Sequence, residues 1–249
     1  MAKVVRIGTA GWAIPRSIFG AFSAEGSGLV RYAANFNATE INSTFRRSHR
    51  PQTWQRWETS TPNDFRFAVK VPKIISHELR LTAAEEPLAQ FLGEINHLGE
   101  KLGPLLLQLP PSFAFDPAVV EPFFTLCRKQ FGGALVCEPR HPTWFADAPS
   151  KLMADYGVAR VAADPVRVPG AGDPKGDNRI AYYRLHGAPR VYYSSYDQPF
   201  ISNLATTIRA SDAQVVWCIF DNTASGAALA NAMALKAAAS NTLSDVSDV

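Results

Sequence analysis

Short apolar runs that end in charged or amide side chains recur along this chain. They are Ala38-Thr39-Glu40-Ile41-Asn42, Phe65 to Lys70, Leu105 to Gln108, Leu135 to Arg140, Val158 to Asp164, Ile180 to His186 and Val215 to Asn222, preceded by Val4 to Gly11. Their spacing of roughly 20 to 40 residues is the pace of a repeated strand-then-helix unit. Between them the patterning predicts helices over Leu29 to Phe36, Ala83 to Lys101, Pro117 to Gln130, Asp147 to Tyr156 and Ala224 to Ala239. Another is expected around Gln52 to Trp57, where Trp54 and Trp57 are three apart and share a core-facing side. Trp12 to Gly28 and Val168 to Asn178 read as loops, and 240–249 as a frayed tail.

These runs predict an α/β fold, a single TIM-type (β/α)8 barrel or a close variant of it spanning 1–249. The length of 249 residues is close to the about 250 typical of that fold. Parallel strands of such a barrel deliver their last side chains to one face, and the active site sits there. Strand side chains alternate between faces, so Glu40 pairs with Asn42, Glu138 with Arg140, Arg184 with His186 and Ala68 with Lys70. Val69, Val71, Tyr183 and Leu185 have the opposite parity, suited to packing against helices. With Gln108, Asp164 and Asp221 the polar set points inward. The mouth then holds the cations Lys70, Arg140 and Arg184 against the carboxylates Glu40, Glu138, Asp164 and Asp221.

Buried charges must be paired or neutralised. One reading is a set of ion pairs that stabilises the barrel interior. The other is a site where cations hold an anionic substrate while a carboxylate or His186 moves protons. The second is the leading expectation: an acid–base enzyme, a hydrolase, isomerase or lyase, acting on a small phosphorylated or sugar-like anion. Its catalytic residues are Glu40, Glu138 and His186, and its substrate-binding residues are Asn42, Lys70, Gln108, Arg140, Trp144, Asp164, Arg184, Asp221 and Asn222. No organic cofactor is expected, since neither Gly-x-Gly-x-x-Gly nor a Walker-type loop is present, and no resident metal, since three nearby cations would oppose it.

Other chemistries compete. Glu40, Glu138, Asp164, His186 and Asp221 are able metal ligands for a phosphodiesterase or nucleic-acid-processing enzyme, although no H-x-H or H-E-x-x-H cluster concentrates them. Glu40 with Glu138 is the carboxylate pair a glycosidase would need. Phe45-Arg46-Arg47-Ser48-His49-Arg50 and the following tryptophans have the basic and aromatic mixture of a nucleic-acid surface, or of an ordinary solvated loop. Asn222-Thr223-Ala224-Ser225-Gly226 reads either as a phosphate loop or as a simple helix cap. A non-catalytic anion sensor would use the same mouth. His49, His77 and His97 lack comparable context and read as surface groups.

Composition narrows the setting. A hydrophobic fraction of 47% with 19% charged residues is ordinary for a globular protein, and no apolar stretch approaches the roughly 20 residues of a membrane span. Met1 to Arg6 lacks a signal-type apolar region, so a cytoplasmic protein is expected. The net charge of +3 favours anionic partners only weakly. Cys127, Cys137 and Cys218 have no C-x-x-C spacing and read as buried thiols.

Seven segments stand in order along the chain: Ile7-Gly8-Thr9-Ala10-Gly11-Trp12, Glu40 to Phe45, Phe65 to Lys70, Leu105 to Pro110, Glu138-Pro139-Arg140-His141-Pro142-Thr143-Trp144, Tyr183 to Gly187 and Asp221-Asn222-Thr223. Together they resemble the DUF72, or YecE-like, family across nearly the whole chain. The resemblance implies a TIM-barrel fold and supplies no reaction. Arg46 stands where the family commonly has Tyr, Pro139 where Phe is usual, and Asp221 where Asn is frequent. The first departure makes the rim more basic, and the last adds a negative charge.

Overall fold

In a computed structural model, which describes residues 3–240, the chain forms a mixed α/β fold with two mainly parallel sheets. The strands are β1 (Val4–Thr9), β2 (Ala38–Ile41), β3 (Arg66–Lys70), β4 (Leu102–Gln108), β5 (Leu135–Glu138), β6 (Val158–Arg160), β7 (Ala162–Asp164), β8 (Lys175–Gly176), β9 (Ile180–Leu185) and β10 (Val215–Phe220). One sheet has the order β1-β10-β9-β7 and the other β2-β3-β4-β5-β6-β8. All pairings are parallel except that of β8 with β6. The helices are α1 (Gly28–Ala33), α2 (Pro51–Thr59), α3 (Glu85–Ile95), α4 (Pro117–Gln130), α5 (Asp147–Asp155), α6 (Gln198–Ala210) and α7 (Ala227–Ser240).

Several boundaries differ from the sequence expectation for local reasons. β5 stops at Glu138 rather than Arg140, because Pro139 has no N–H to continue a ladder. β4 begins at Leu102 and runs through Pro104, and its register with β3 shifts at that point. The Val158 to Asp164 run divides at Val161, whose N–H donates to Cys137 O (2.8 Å), and its halves join different sheets. The expected Ala83 to Lys101 helix ends at Ile95 and continues as a 3-10 turn broken by Gly99, whose φ of 52° lies in the left-handed region. Both expected loops contain short elements, a 3-10 turn at Arg16–Ala21 and the β8 strand. The tail expected over 240–249 lies, beyond Ser240, outside the described residues.

Two cores result from strand alternation. The larger one packs Val69, Val71, Leu105, Leu107, Tyr183 and Leu185 with helix residues such as Phe91, Phe124 and Ile201. The smaller contains Ala38, Ala68, Leu106, Val136, Tyr182, Trp217 and Ile219. Glu40, Lys70, Gln108, Glu138, Arg184 and Asp221 lie two residues beyond members of this smaller core, so their side chains leave the strands on its face. Gly8 sits where β1 meets β2: a Cβ there would stand 2.0 Å from Ala38 O. All three cysteines are buried and free. Among the described residues, no helix is long and apolar enough to cross a membrane.

Candidate functional site

Arg184, near the end of β9, is the centre of the polar cluster and is 1% exposed. Its Nη2 and Nε donate to Glu40 at 2.8 and 3.1 Å, and its Nη1 donates to Glu138 Oε2 at 2.8 Å. Its Nη2 also lies 2.9 Å from Asp221 Oδ2. One guanidinium therefore binds carboxylates from β2, β5 and the exit of β10. The planar fork of Arg is suited to such multiple charge-assisted bonds. Tyr182, on the same face of β9, donates from its hydroxyl to Glu40 Oε2 at 2.8 Å. Burial and then the Glu40 charge push the Tyr182 pKa well above its ordinary value, so it remains a donor.

His186 is held at both ring nitrogens, with Nδ1 3.0 Å from Asp221 Oδ2 and Nε2 3.2 Å from Glu138 Oε1. Burial acts to lower the His186 pKa, but the Glu138 and Asp221 carboxylates outweigh it and raise the value above the ordinary 6.5. Burial acts to raise Glu138, and Arg184, His186 and Arg140 together hold it well below the usual carboxylate range. Asp221 is lowered in the same way, by Arg184 and His186 against burial. Arg140 donates from Nε and Nη2 to Glu138 Oε1 at 3.1 and 3.0 Å while its side chain stays 29% exposed.

Lys70 differs from the other cations. It is 9% exposed, and its Nζ donates to the neutral Gln108 Oε1 at 2.5 Å and lies 4.3 Å from the centre of the Phe45 ring. No carboxylate lies within ion-pair distance of it among the described residues. Burial, followed by the charge of Arg184, lowers its pKa to about 8, against opposing contributions from Glu40, Glu138 and Asp221. The Phe45 ring meets His77 edge-on at 5.0 Å. His77 is lowered by burial and then by Lys70, Arg140, Lys73 and Arg80, so the cluster has a cationic flank.

Two recesses reach residues in or next to this cluster. A cavity of about 240 Å³ is lined by Glu138, Arg140, Phe145, Arg167, His186 and Tyr192. A separate cleft of about 620 Å³ is lined by Phe45, Arg46, Arg47, Lys73, Ile74 and Phe91. Tyr192 covers the imidazole: its ring is perpendicular to that of His186 at 5.8 Å, and its N–H donates to His186 O at 2.6 Å. This contact holds Tyr192 at a φ of 70°, a conformation rare outside glycine.

The structure thus brings together Glu40, Lys70, Gln108, Glu138, Arg140, Arg184, His186 and Asp221, but several expected roles change. Glu40 is 0% exposed with both oxygens on Arg184 and Tyr182, so it cannot reach a substrate. Arg184 is likewise spent on carboxylates and is a structural hub rather than a ligand contact. Trp144 is buried among Phe113 and Phe115, with Nε1 donating to Phe113 O, and belongs to the core. Asp164 accepts from the Tyr196 hydroxyl at 2.7 Å, apart from the Arg184 cluster. Asn222 is fully buried, donating to Ser194 O and Asn231 Oδ1, and α7 begins only at Ala227, so this segment is no phosphate cradle. Asn42 is half-buried before the short turn at Ser43–Phe45, its Oδ1 without a partner among the described residues.

The remaining histidines are not free surface groups. His49 lies between Trp54 and Trp57 with Nε2 2.7 Å from Ser43 Oγ, and His77 and His97 are half-buried. Trp54 is fully buried and Trp57 packs edge-on against it, which leaves the basic loop without the stacking faces a nucleic-acid surface needs. Among the described residues, no three His, Cys, Asp or Glu side chains are grouped to hold a metal ion. Of the carboxylates expected in that role, Glu40, Glu138 and Asp221 are occupied by guanidinium or imidazole, and Asp164 by the Tyr196 hydroxyl. Tyr182, Tyr192, Phe45 and His77 were not among the expected site residues. Tyr182 was detectable, because it shares the parity of Arg184.

Known proteins share this arrangement of elements. The family described as "Protein of unknown function DUF72" matches residues 6–248. The UPF0759 protein YecE of Escherichia coli K12 is 32% identical over 132 residues, covering 52% of this chain and 47% of that protein. The UPF0759 protein YunF of Bacillus subtilis 168 is 26% identical over 150 residues, covering 57% and 53%. The chain thus spans about half the length of these curated relatives in the aligned region. Solved DUF72 family proteins from Thermotoga maritima MSB8 and Enterococcus faecalis V583 both superpose with a TM-score of 0.79, at 23% and 20% identity. The first comparison covers 94% of this chain and 98% of the other, and the second 95% of each. The chain belongs to the DUF72 family.

Proposed function

We propose that this DUF72 protein closes its two sheets into a (β/α)8 barrel and uses the mouth to bind a small anion, with His186 as proton donor. Closure is supported at both seams. Ala10 bridges Glu40 in parallel fashion, Gly11 N donates to Glu40 O at 2.8 Å, and only Val161 separates β6 from β7. With β6 and β7 taken as one strand and β8 set aside, the two sheets contain eight parallel strands.

The observation that carries the anion site is Lys70, a buried ammonium without a carboxylate partner among the described residues, while Arg184, Arg140 and His186 share three. An unpaired buried charge costs several kcal/mol, and a bound anion would remove that cost. The exposed side of Arg140 and the cationic flank around His77 favour the same occupant. His186, held charged between Glu138 and Asp221, is suited to donating a proton rather than taking one, the Nε2 proton passing to a substrate that displaces the Glu138 bond and leaving a neutral imidazole on Asp221. Glu40 and Arg184 stabilise this machinery from below. The arrangement fits hydrolase, isomerase or lyase chemistry on a phosphorylated, sugar-like or other small acid.

Thermal-shift measurements with inorganic phosphate, phosphate esters, sugar acids, short nucleic acids and divalent metals test this reading in wild type, Lys70→Met and Arg140→Gln. A ligand at 100 times its dissociation constant should add about 2.7 kcal/mol. The proposal expects a shift with small anions that is lost in both variants. Silence with every anion would refute it, and a shift confined to metals or nucleic acid would favour a metal-assisted nuclease instead.

A further inference from the structure

We propose that Lys70 is a carbonyl-condensing amine, so that the anion taken at the mouth is a small oxo acid or a phosphorylated aldehyde or ketone. This rests on the anion-site reading above and names its substrate class. Two devices make a lysine nucleophilic, an apolar desolvating environment and a neighbouring cation. Both are present: Nζ is buried against the Phe45 ring, and Arg184 lies close enough to act on its charge. The single hydrogen bond to Gln108 Oε1 positions Nζ without fixing a proton on it as a carboxylate would. At pH 7 roughly a tenth of the amine is neutral if it titrates near 8.

The other buried lysine shows the contrast. Lys101, 6% exposed, donates to Glu58 O and Thr61 O and sits 3.5 Å from Glu58 Oε1, so it has a carboxylate partner. Lys73 is exposed and paired with Glu78 at 3.1 Å. Arginine cannot serve, because it does not deprotonate in proteins. Lys70 alone among these combines burial, a strand-exit position and no carboxylate partner.

The step balances without an oxidant. The Nζ lone pair attacks the carbonyl carbon, forming a C–N bond while the π pair moves to oxygen. The carbinolamine oxygen then leaves as water with two hydrogens that come, by way of proton exchange, from Nζ, and a C=N bond remains. Arg140 would hold the carboxylate or phosphate of the same molecule. Such an imine withdraws electrons from the adjacent carbon, which supports the lyase and isomerase members of the proposed reaction range.

Trapping tests this directly. The full-length protein is incubated separately with pyruvate, dihydroxyacetone phosphate and the neutral ketone acetone, each with cyanoborohydride as hydride donor. Intact mass and peptide mapping locate the resulting secondary amine, and phosphate-induced thermal shifts are recorded in parallel. The expected result is one anionic adduct at Lys70, absent in Lys70→Met and slowed about tenfold in Arg140→Gln, the worth of one charge-assisted hydrogen bond. Labelling that spreads evenly over exposed lysines such as Lys73 and Lys151 would overturn the proposal. An Arg140-dependent phosphate shift with no Lys70 adduct would reject the amine while the anion site stands. Fast acetone trapping at Lys70 with no anion-induced shift would retain the amine and reject the anion site.

Discussion

Replacing Lys70 with Met should make the ligand-free protein more stable at pH 7, although it removes a hydrogen bond and a charge. Lys70 titrates near 8 in the fold against an ordinary 10.5. At about 1.4 kcal/mol per pK unit, keeping the ammonium at pH 7 costs about 3 kcal/mol. Met retains the unbranched stem and its packing, and loss of the Gln108 bond offsets about 1 kcal/mol. A net gain of about 2 kcal/mol remains, which for a chain of this length raises Tm by about 4–8 °C. The difference depends on pH in a fixed direction. The unfolded chain keeps this proton up to about 10.5 and the fold releases it near 8, so between those values wild-type stability rises with pH. Urea unfolding of both proteins should therefore show a gap that is full below about pH 8 and closes toward about pH 10.5. A variant less stable than wild type at pH 7, or a gap independent of pH, would refute the view that Lys70 is an uncompensated cation.

Other perturbations probe the supporting structure. Arg184→Met leaves Glu40, Glu138 and Asp221 without their shared partner and should cost about 3–5 kcal/mol, seen as a lower urea midpoint or loss of soluble protein. His186 has a raised folded pKa, so its charge contributes stability that is complete below about 6.5 and lost as pH rises through the folded value. The stability difference between wild type and His186→Gln should then be largest in acid and shrink with rising pH, whereas a constant difference would show that the imidazole is held neutral. Gly8→Ala places a methyl 2.0 Å from Ala38 O and should lower Tm sharply by parting β1 from β2, while an unchanged Tm would mean that this seam is loose.

Much of the arrangement was legible from strand alternation, because which face a side chain leaves is a local property. That alternation brought Glu40, Lys70, Gln108, Glu138, Arg184 and Asp221 to one side. How they divide the charge is a tertiary matter. Arg184 and Arg140 look equivalent in sequence, yet one is enclosed by carboxylates from three strands and the other keeps an open edge. Trp144 follows a motif of polar residues but turns into the Phe113 and Phe115 core. Tyr192 covers His186 with its backbone in the left-handed region, and no local pattern signals that. The division of one apolar run into β6 and β7 at Val161 was equally invisible, since it depends on which neighbours each half pairs with.

The most direct measurement is the titration of the Lys70 amine by lysine-selective NMR, assigned with Lys70→Met, in the absence and presence of inorganic phosphate. The account predicts a midpoint near 8 without ligand and an upward movement when phosphate binds. A midpoint above 10 that phosphate leaves unchanged would show that the ammonium is already compensated, and the anion site would have to be abandoned.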